Sequence, residues 1–276
     1  LIILWHVPNG ENHYQIQGSF IFIDGQKGFW IKLFVGGSVL LGCAAYEAGN
    51  ILGAVSGLSL MIEGDGKFYT LLVTIFAAFL LWSGKQAWIS TLMTILVGMM
   101  GVAFFVLALH SDFQLADLLI ASTVPRIPPG AELVTLGLIG TTIVPYNLFL
   151  GSGISKGQTV SLMRIGLTIS VLIGGLITIW ILLAGTVVGE FSSFSILADE
   201  FRNKLGLTGA VALGVGLFAA GFSSAITSPY AASIIASNVF GIEKRNFVRL
   251  MWGIVLMTGF IFGMSGIKPI PVILTQ

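Results

Sequence analysis

The stretch Gly137-Leu-Ile-Gly-Thr-Thr-Ile-Val-Pro-Tyr-Asn-Leu-Phe-Leu-Gly-Ser-Gly153 places a proline in the middle of an apolar segment. Pro145 has no backbone N–H, and its ring clashes with the carbonyl four residues earlier, that of Thr141. The pattern therefore predicts a helix that opens between these two residues. Carbonyl groups freed at membrane depth are tolerated only against protein or a watery cavity, and transporters use such breaks as binding sites. Side-chain oxygens surround the break at Thr141, Thr142, Tyr146 and Asn147. A simple proline kink is the alternative.

The composition predicts an integral membrane protein. Of the 276 residues, 55% are hydrophobic and 9% are charged, whereas soluble domains carry roughly 25% charged residues. With 13 basic and 12 acidic residues, the chain has too little positive charge for a nucleic-acid surface. Because Cys43 is the single cysteine, the sequence also predicts no internal disulfide and no Cys/His zinc cluster.

Seven apolar windows predict membrane spans, which need about 20 residues each, although the second window is short at fifteen residues. They run from Phe29 to Ile62, Phe68 to Trp82, Trp88 to Leu109, Leu133 to Ser155, Leu162 to Gly189, Leu207 to Phe240 and Val248 to Met264. An eighth begins at Pro269. We assign residues 29–276 to one transmembrane transporter domain, which we expect to be incomplete. Residues 1–28 are too polar for a span and form an unassigned N-terminal stretch.

The basic residues predict the orientation, because basic loops resist translocation. Alternating spans put eight basic residues on the inner side and five on the outer side. The inner set is Lys27, Lys32, Lys85, Lys156, Arg164, Lys244, Arg245, Arg249. We interpret Arg245 and Arg249 as membrane anchors. The outer loop from Glu190 to Leu205 has a helix-like charge pattern and predicts a short surface helix.

One acidic residue lies inside an apolar window. Glu47 belongs to the segment Tyr46-Glu-Ala-Gly-Asn50, and a lone carboxylate at membrane depth is costly enough to indicate function. Asn50 lies three residues on and shares its helix face. The pair is therefore the candidate proton or cation site. The alternative is a protonated glutamate that only helps two helices to pack.

Small and hydroxyl-bearing residues concentrate in the sixth window, in Gly221-Phe-Ser-Ser-Ala-Ile-Thr-Ser-Pro-Tyr230. Such residues let helices approach closely, so tight packing is the favoured role. Lining a substrate path is the alternative, for Ser223, Ser224 and Thr227, and for Gln276 at the end of the sequence. The glycine steps from Gly49 to Gly57 and the pairs Gly36-Gly37 and Gly174-Gly175 also predict close helix packing.

The sequence predicts no enzyme and no bound cofactor. Gly263-Met-Ser-Gly266 resembles the nucleophile turn of rhomboid proteases, but that chemistry needs a histidine base nearby. The three histidines, His6, His13 and His110, lie outside the interiors of the spans. Phosphate-binding glycine loops followed by a soluble βα unit are missing as well.

Three segments together resemble one family of membrane proteins. Gly140-Thr-Thr-Ile-Val-Pro-Tyr-Asn-Leu-Phe-Leu-Gly-Ser152 resembles the broken sixth helix of the natural resistance-associated macrophage protein (Nramp) family, G-A-T-x-M-P-H-N-L-Y-L-H-S. Glu47-Ala-Gly-Asn-Ile-Leu-Gly53 resembles its third helix, D-L-A-E-V-I-G. Gly221-Phe-Ser-Ser-Ala-Ile-Thr227 resembles its eighth, G-x-S-S-x-x-T. The seven spans then correspond to the third through ninth helices of the family.

The resemblance implies an all-α polytopic membrane bundle with the LeuT-type fold of the APC superfamily, which is built from inverted repeats. It also implies that the Thr141 carbonyl is a metal ligand. The family's metal-binding methionine corresponds to Val144, its histidine to Tyr146, and its second acid to Asn50. A site without the thioether depends on oxygen ligands, which favour harder ions such as magnesium or manganese.

The leading functional hypothesis is a multi-pass symporter of a bacterial inner (plasma) membrane that moves divalent metal ions inward by alternating access. Its substrate site comprises Thr141, Thr142, Val144, Tyr146 and Asn147, and Glu47 is the proton-linked group. The metal is a substrate, and the only partners expected are metal ions and the lipid bilayer. An ion-coupled carrier of an amino acid or similar molecule is the alternative on the same fold. A non-transporting membrane scaffold is the third.

Overall fold

A computed structural model describes residues 28–111, 119–120, 123, 127, 129–142, 144, 159–187 and 193–266. All regular structure in these ranges is helical, which confirms the predicted all-α class. The helices are α1 (Gly28–Met61), α2 (Gly66–Ser83), α3 (Gln86–Leu109), α4 (Glu132–Thr142), α5 (Val160–Gly185), α6 (Phe194–Leu205), α7 (Leu207–Phe240) and α8 (Arg245–Met264).

Six of the helices in the described ranges are long and apolar enough to cross a membrane, namely α1, α2, α3, α5, α7 and α8. The chain is thus a multi-pass integral membrane protein, as predicted. The fourth predicted span, Leu133 to Ser155, is described as helix only up to Thr142. The window that begins at Pro269 lies beyond the described ranges.

The ends of α2 show why its predicted span was too short. Asp65 caps the helix, since its side chain accepts a hydrogen bond from the Lys67 N–H at 3.1 Å. At the other end Gly84 has a φ of 62°, in the left-handed region where a glycine commonly closes a helix. The helix therefore has 18 residues, against the fifteen of the apolar window. In contrast, α5 ends at Gly185, four residues before its predicted end.

The centre of the described bundle is an antiparallel pair, α1 and α7. Gly36 of α1 lies against Val239 at one end, and Gly57 lies against Gly214 and Phe218 at the other. Between them, a Cβ on Gly221 would lie only 2.7 Å from the Asn50 carbonyl oxygen. Glycine is needed there because the two backbones touch, which confirms close packing at Gly57 and Gly221.

Helices α8, α2, α3 and α6 pack directly against this pair. α8 and α2 pack on one side of α1, where Gly263 of α8 lies against Thr70 of α2. α3 packs against α7 through Phe104 and Gly216. α5 contacts the rest of the described bundle through α3, and the rings of Phe105 and Trp180 lie 4.9 Å apart between these two helices.

One sequence prediction about helix packing was wrong. Gly174 and Gly175 of α5 have no neighbouring atom within 4 Å of an added Cβ, so they do not mediate close packing among the described residues. The predicted short surface helix is present as α6. One of its faces buries Leu197 and Phe201 in a cluster with Leu107 of α3.

Candidate functional site

Glu47 is completely buried in α1. Its Oε2 accepts a hydrogen bond from the Asn50 side-chain amide at 3.3 Å, and its Oε1 has no hydrogen-bond partner among the described residues. The two side chains therefore meet, as their spacing predicts. An orphaned carboxylate oxygen in an apolar interior is costly, because nothing replaces the water that it has lost.

The surroundings of Glu47 come from α8. A Cβ on Gly259 would lie 2.8 Å from both the Cγ and the carbonyl oxygen of Glu47, and 2.7 Å from Cγ1 of Ile51. One turn earlier on α1, the Thr258 hydroxyl of α8 donates a hydrogen bond to the Ala44 carbonyl at 3.0 Å. α8 thus packs directly over Glu47, and Gly259 leaves the room that the glutamate side chain needs.

The helix that carries the predicted break also reaches α1. The Tyr46 hydroxyl donates a hydrogen bond to the Gly140 carbonyl of α4 at 3.2 Å. Helix α4 ends two residues later, at Thr142, and Val144 is not helical. This helix end lies within the interval in which the sequence predicts opening. The role of Pro145 stays a prediction, because that residue is not among those described.

Tyr46 and Glu47 are neighbours in the chain, but they point in directions about 100° apart around the helix. Tyr46 faces α4, whereas Glu47 faces Gly259 of α8. The structure therefore brings the candidate break and the buried acid onto the same turn of α1, on two different faces. This geometry suits an acid that acts beside a site better than one that acts as a direct ligand.

Val144 occupies the position of the family's metal-binding methionine, and its side chain is buried. It belongs to an apolar cluster with Val39 and Cys43 of α1, Val239 of α7 and Val255 of α8. The Ser228 hydroxyl of α7 donates a hydrogen bond to the carbonyl of Cys43 in α1 at 2.9 Å. The Val144 side chain therefore packs in this cluster and carries no atom that could bind a metal, while the place of Val144 in the substrate site stays a prediction.

Two of the hydroxyl groups of α7 that could line a path are bonded within their own helix. Ser223 donates to the Ala220 carbonyl at 3.0 Å and Thr227 to the Ser223 carbonyl at 2.8 Å. Thr227 also lies 3.5 Å from the sulfur of Met93 on α3. These contacts agree with the packing role that the sequence favoured. The path-lining alternative for Ser223, Ser224 and Thr227 stays a prediction.

The remaining predicted site residues lie at the break or at the end of the sequence. Thr141 and Thr142 are the last two residues of α4. Tyr146, Asn147 and Gln276 lie outside the described residues. Within the described ranges, no group of three or more His, Cys, Asp or Glu side chains is placed to hold a metal ion.

Sequence reasoning missed Gly259 and the bond from Tyr46 to Gly140. All three residues lie inside apolar windows, where the sequence does not distinguish them from other glycines and tyrosines. A pattern at helical spacing cannot reveal them, because each matters only through its contact with a distant helix.

In the described bundle, one turn of α1 carries a buried acid and contacts the end of α4. The bundle defines a polytopic membrane protein of the kind that includes ion-coupled transporters. The chain belongs to the Nramp family. The family model described as natural resistance-associated macrophage protein-like matches residues 23–276. The resemblance seen in the three sequence segments is thereby confirmed.

Curated relatives are similar at low identity. A divalent metal cation transporter MntH from Pectobacterium carotovorum subsp. carotovorum is 23% identical over 242 residues, which make up 82% of this chain and 58% of that protein. A protein of the same name from Erwinia tasmaniensis is 23% identical over 271 residues, 93% of this chain and 60% of that protein. The natural resistance-associated macrophage protein 2 homolog of Dictyostelium discoideum is 24% identical, over 79% of this chain and 38% of that protein. The chain thus spans no more than about three fifths of these relatives.

Proposed function

We propose that the full-length protein is a secondary-active transporter that moves divalent cations across the membrane by alternating access. The observation that carries the proposal is the junction of α1 and α4. There the Tyr46 hydroxyl donates a hydrogen bond to the Gly140 carbonyl, and Glu47, the residue after Tyr46, is a buried acid. The names of the bacterial relatives, which are divalent metal cation transporters, support the class of substrate. A bacterial inner membrane is the location proposed.

The substrate site proposed is the end of α4 together with the residues that follow it. The Thr141 carbonyl, the hydroxyl groups of Thr142 and Tyr146 and the amide of Asn147 would supply oxygen ligands. Val144 supports this choice, because an apolar side chain replaces the thioether and removes the soft ligand. We therefore propose a preference for harder ions, magnesium or manganese, bound with part of their water shell.

Transport by the full-length protein in proteoliposomes tests this function. We expect uptake of manganese and magnesium that saturates with concentration. Val144→Met would add a thioether, and we expect it to raise uptake of a soft ion such as cadmium relative to magnesium. If a folded sample takes up no divalent ion, the cation proposal is wrong.

Glu47 is the proposed proton-linked group. Placing an acidic residue at the centre of a membrane helix costs about 2.5–3.5 kcal/mol on insertion scales, and Oε1 of Glu47 has no partner among the described residues to offset that cost. The side chain is therefore expected to hold a proton until a conformational change admits water or a cation. Such a group links transport to pH.

Replacing Glu47 tests this role. We expect Glu47→Gln to remove most of the pH dependence of uptake, because a side-chain amide does not take up or release a proton as a carboxyl group does. Glu63→Gln is the matched control, since Glu63 is an exposed acid just beyond the end of the same helix. An unchanged pH profile in the Glu47 variant would remove this residue from the coupling mechanism.

A second candidate function, an ion-coupled carrier of a small organic molecule, is supported by the neighbour of Glu47. Asn50 supplies an amide where the family resemblance leads one to expect a second acid. A single carboxylate suits a proton or sodium ion better than a divalent ion. Radiolabelled amino acids in the same proteoliposomes distinguish the two, because only the second candidate predicts counterflow of an organic substrate.

We propose no enzymatic activity and no bound cofactor for the chain. Ser265 is the residue in a protease-like turn, and its hydroxyl donates a hydrogen bond to the Phe262 carbonyl at 2.6 Å. It follows the last turn of α8 as a cap, a common role for a serine at a helix end. Peptide hydrolysis by the purified protein would contradict this part of the proposal.

A further inference from the structure

Helix α2 presents an exposed row of large apolar side chains. Its members recur every three or four residues, the spacing of one helix face. They form a shallow groove lined by Phe68, Leu71, Leu72, Ile75, Phe76 and Phe79. Each of these side chains is 44% or more exposed in the described structure. The same spacing continues to Trp82, which ends the row on the side that the basic residues predict to be cytoplasmic.

Two cations lie over indole rings at this end of the row. The guanidinium carbon of Arg249, on α8, lies 3.8 Å from the centre of the Trp82 ring. The Lys85 ammonium, in the turn between α2 and α3, lies 4.4 Å from the centre of the Trp88 ring. Both rings are more than half exposed. The two cation–π pairs therefore flank one tight turn at the membrane interface.

The charges of this pair are not neutralised within the described residues. Arg249 and Lys85 contact indole rings, and no described carboxylate forms an ion pair with either of them. A cation over an aromatic face is stabilised by the ring, but it keeps its charge and several free N–H donors. Trp82 is also held by Trp252 of α8, with ring centres 6.4 Å apart in an edge-on arrangement. The turn is thus a pre-ordered site with a local charge of about two positive units.

We propose that this surface binds one anionic phospholipid of the inner leaflet. The headgroup phosphate lies between Arg249 and Lys85, and an acyl chain follows the inner half of the α2 row, past Phe79 and Ile75. One leaflet supplies about half of the ~30 Å hydrocarbon thickness, which matches that half of the helix. Tryptophan rings at headgroup level and basic side chains beside them suit this position. A zwitterionic lipid fits less well, because its ammonium group faces two fixed cations.

Native mass spectrometry of the full-length protein tests the proposal. The probes are phosphatidylglycerol and phosphatidylcholine with identical acyl chains, added at equal concentration. We expect the wild type to retain phosphatidylglycerol preferentially. Each cation near an anionic headgroup contributes about five-fold in affinity, so Arg249→Gln with Lys85→Gln should weaken phosphatidylglycerol retention by roughly twenty-five-fold. Phosphatidylcholine retention should not change.

Lys67→Gln is the matched control, since Lys67 is exposed at the opposite end of α2. We expect it to leave retention unchanged, and Lys85→Arg to preserve it. Lys85→Gln alone changes an exposed side chain, so it tests the site even if the double variant unfolds. Equal retention by the wild type and the Lys85→Gln variant would overturn the proposal. So would an equal loss in the Lys67 control, or full competition by inorganic phosphate, which would point to a free anion instead of a lipid.

Discussion

Helices α5 and α7 differ in a way that hydropathy alone does not predict. α5 is the more apolar of the two, yet only 17% of its most apolar window is buried in the described structure, against 56% for α7. In water the more apolar helix would be the one inside. In a bilayer the lipid tails are as apolar as leucine, so apolarity does not drive a helix into the bundle. Small residues and hydroxyl groups, which let backbones approach, place α7 at the centre.

The glycines of α5 and α7 also differ in how closely other helices pack against them. Gly221 of α7 lies against the backbone of Ala54 and Asn50, whereas Gly174 and Gly175 of α5 touch no described neighbour. Glycine is therefore required for packing at Gly221, whereas the described structure leaves room for a larger residue at Gly174 and Gly175. Three substitutions test how far this difference extends.

The largest effect is expected at the contact of α7 with α1. Gly221→Val places three carbon atoms where the α1 backbone already lies, so the helices must separate. We expect a loss of about 3 kcal/mol in the free energy of unfolding, the upper end for overpacking. Unfolding in mixed detergent micelles measures it. Gly174→Val in α5 is the control, with a change within roughly 0.5 kcal/mol. Equal losses in both variants would refute the contrast.

A smaller effect is expected at Glu47. Gly259→Ala puts a methyl group 2.7 to 2.8 Å from atoms of Ile51 and Glu47, closer than van der Waals contact allows, so we expect a loss of about 1–2 kcal/mol. Gly253→Ala changes the same helix where no described atom lies within 4 Å. Because alanine favours a helix over glycine by up to ~1 kcal/mol, this control is expected to be neutral or stabilising. Opposite signs in a thermal unfolding assay would support the close packing of α8 over the acid, and matching signs would contradict it.

The smallest effect concerns a hydroxyl group between α7 and α1. Ser228→Ala removes the hydrogen bond to the Cys43 carbonyl, and interhelical hydrogen bonds in membranes contribute on average about 0.6 kcal/mol. We expect a loss of that size in the same micelle assay. Ser170→Ala on the exposed face of α5 should leave stability unchanged. A stability gain in the Ser228 variant would show that the bond does not hold the two helices together.

The sequence predicted most of the described helices, because a membrane span must be long and apolar for its backbone to be satisfied. α7 was predicted with the bounds that the structure has. The ends of α2 were missed, since its first and last residues depend on the cap at Asp65 and the left-handed Gly84 rather than on apolarity. Gly174 and Gly175 were misjudged for a related reason, because a small residue is useful only if another helix is near.

For the candidate site, the sequence identified the acid and its neighbour. A carboxylate among apolar residues is conspicuous, and a spacing of three residues brings Asn50 to its face, as the hydrogen bond shows. It did not identify Gly259 as the residue above Glu47, or Tyr46 as the link to α4. These pairs are separated by 212 and 94 positions in the chain, and no local pattern encodes such contacts.

By itself, then, the sequence determined that the chain resides in a membrane, where most of its described spans lie, and that Glu47 is buried. These properties follow from the transfer of side chains and backbone from water into hydrocarbon, which each segment undergoes largely on its own. Only the tertiary structure decided which helices are central and which face of α1 meets α4 or α8. Those choices depend on the fit of distant surfaces, because in lipid the helices gain stability from shape and hydrogen bonds and not from leaving water.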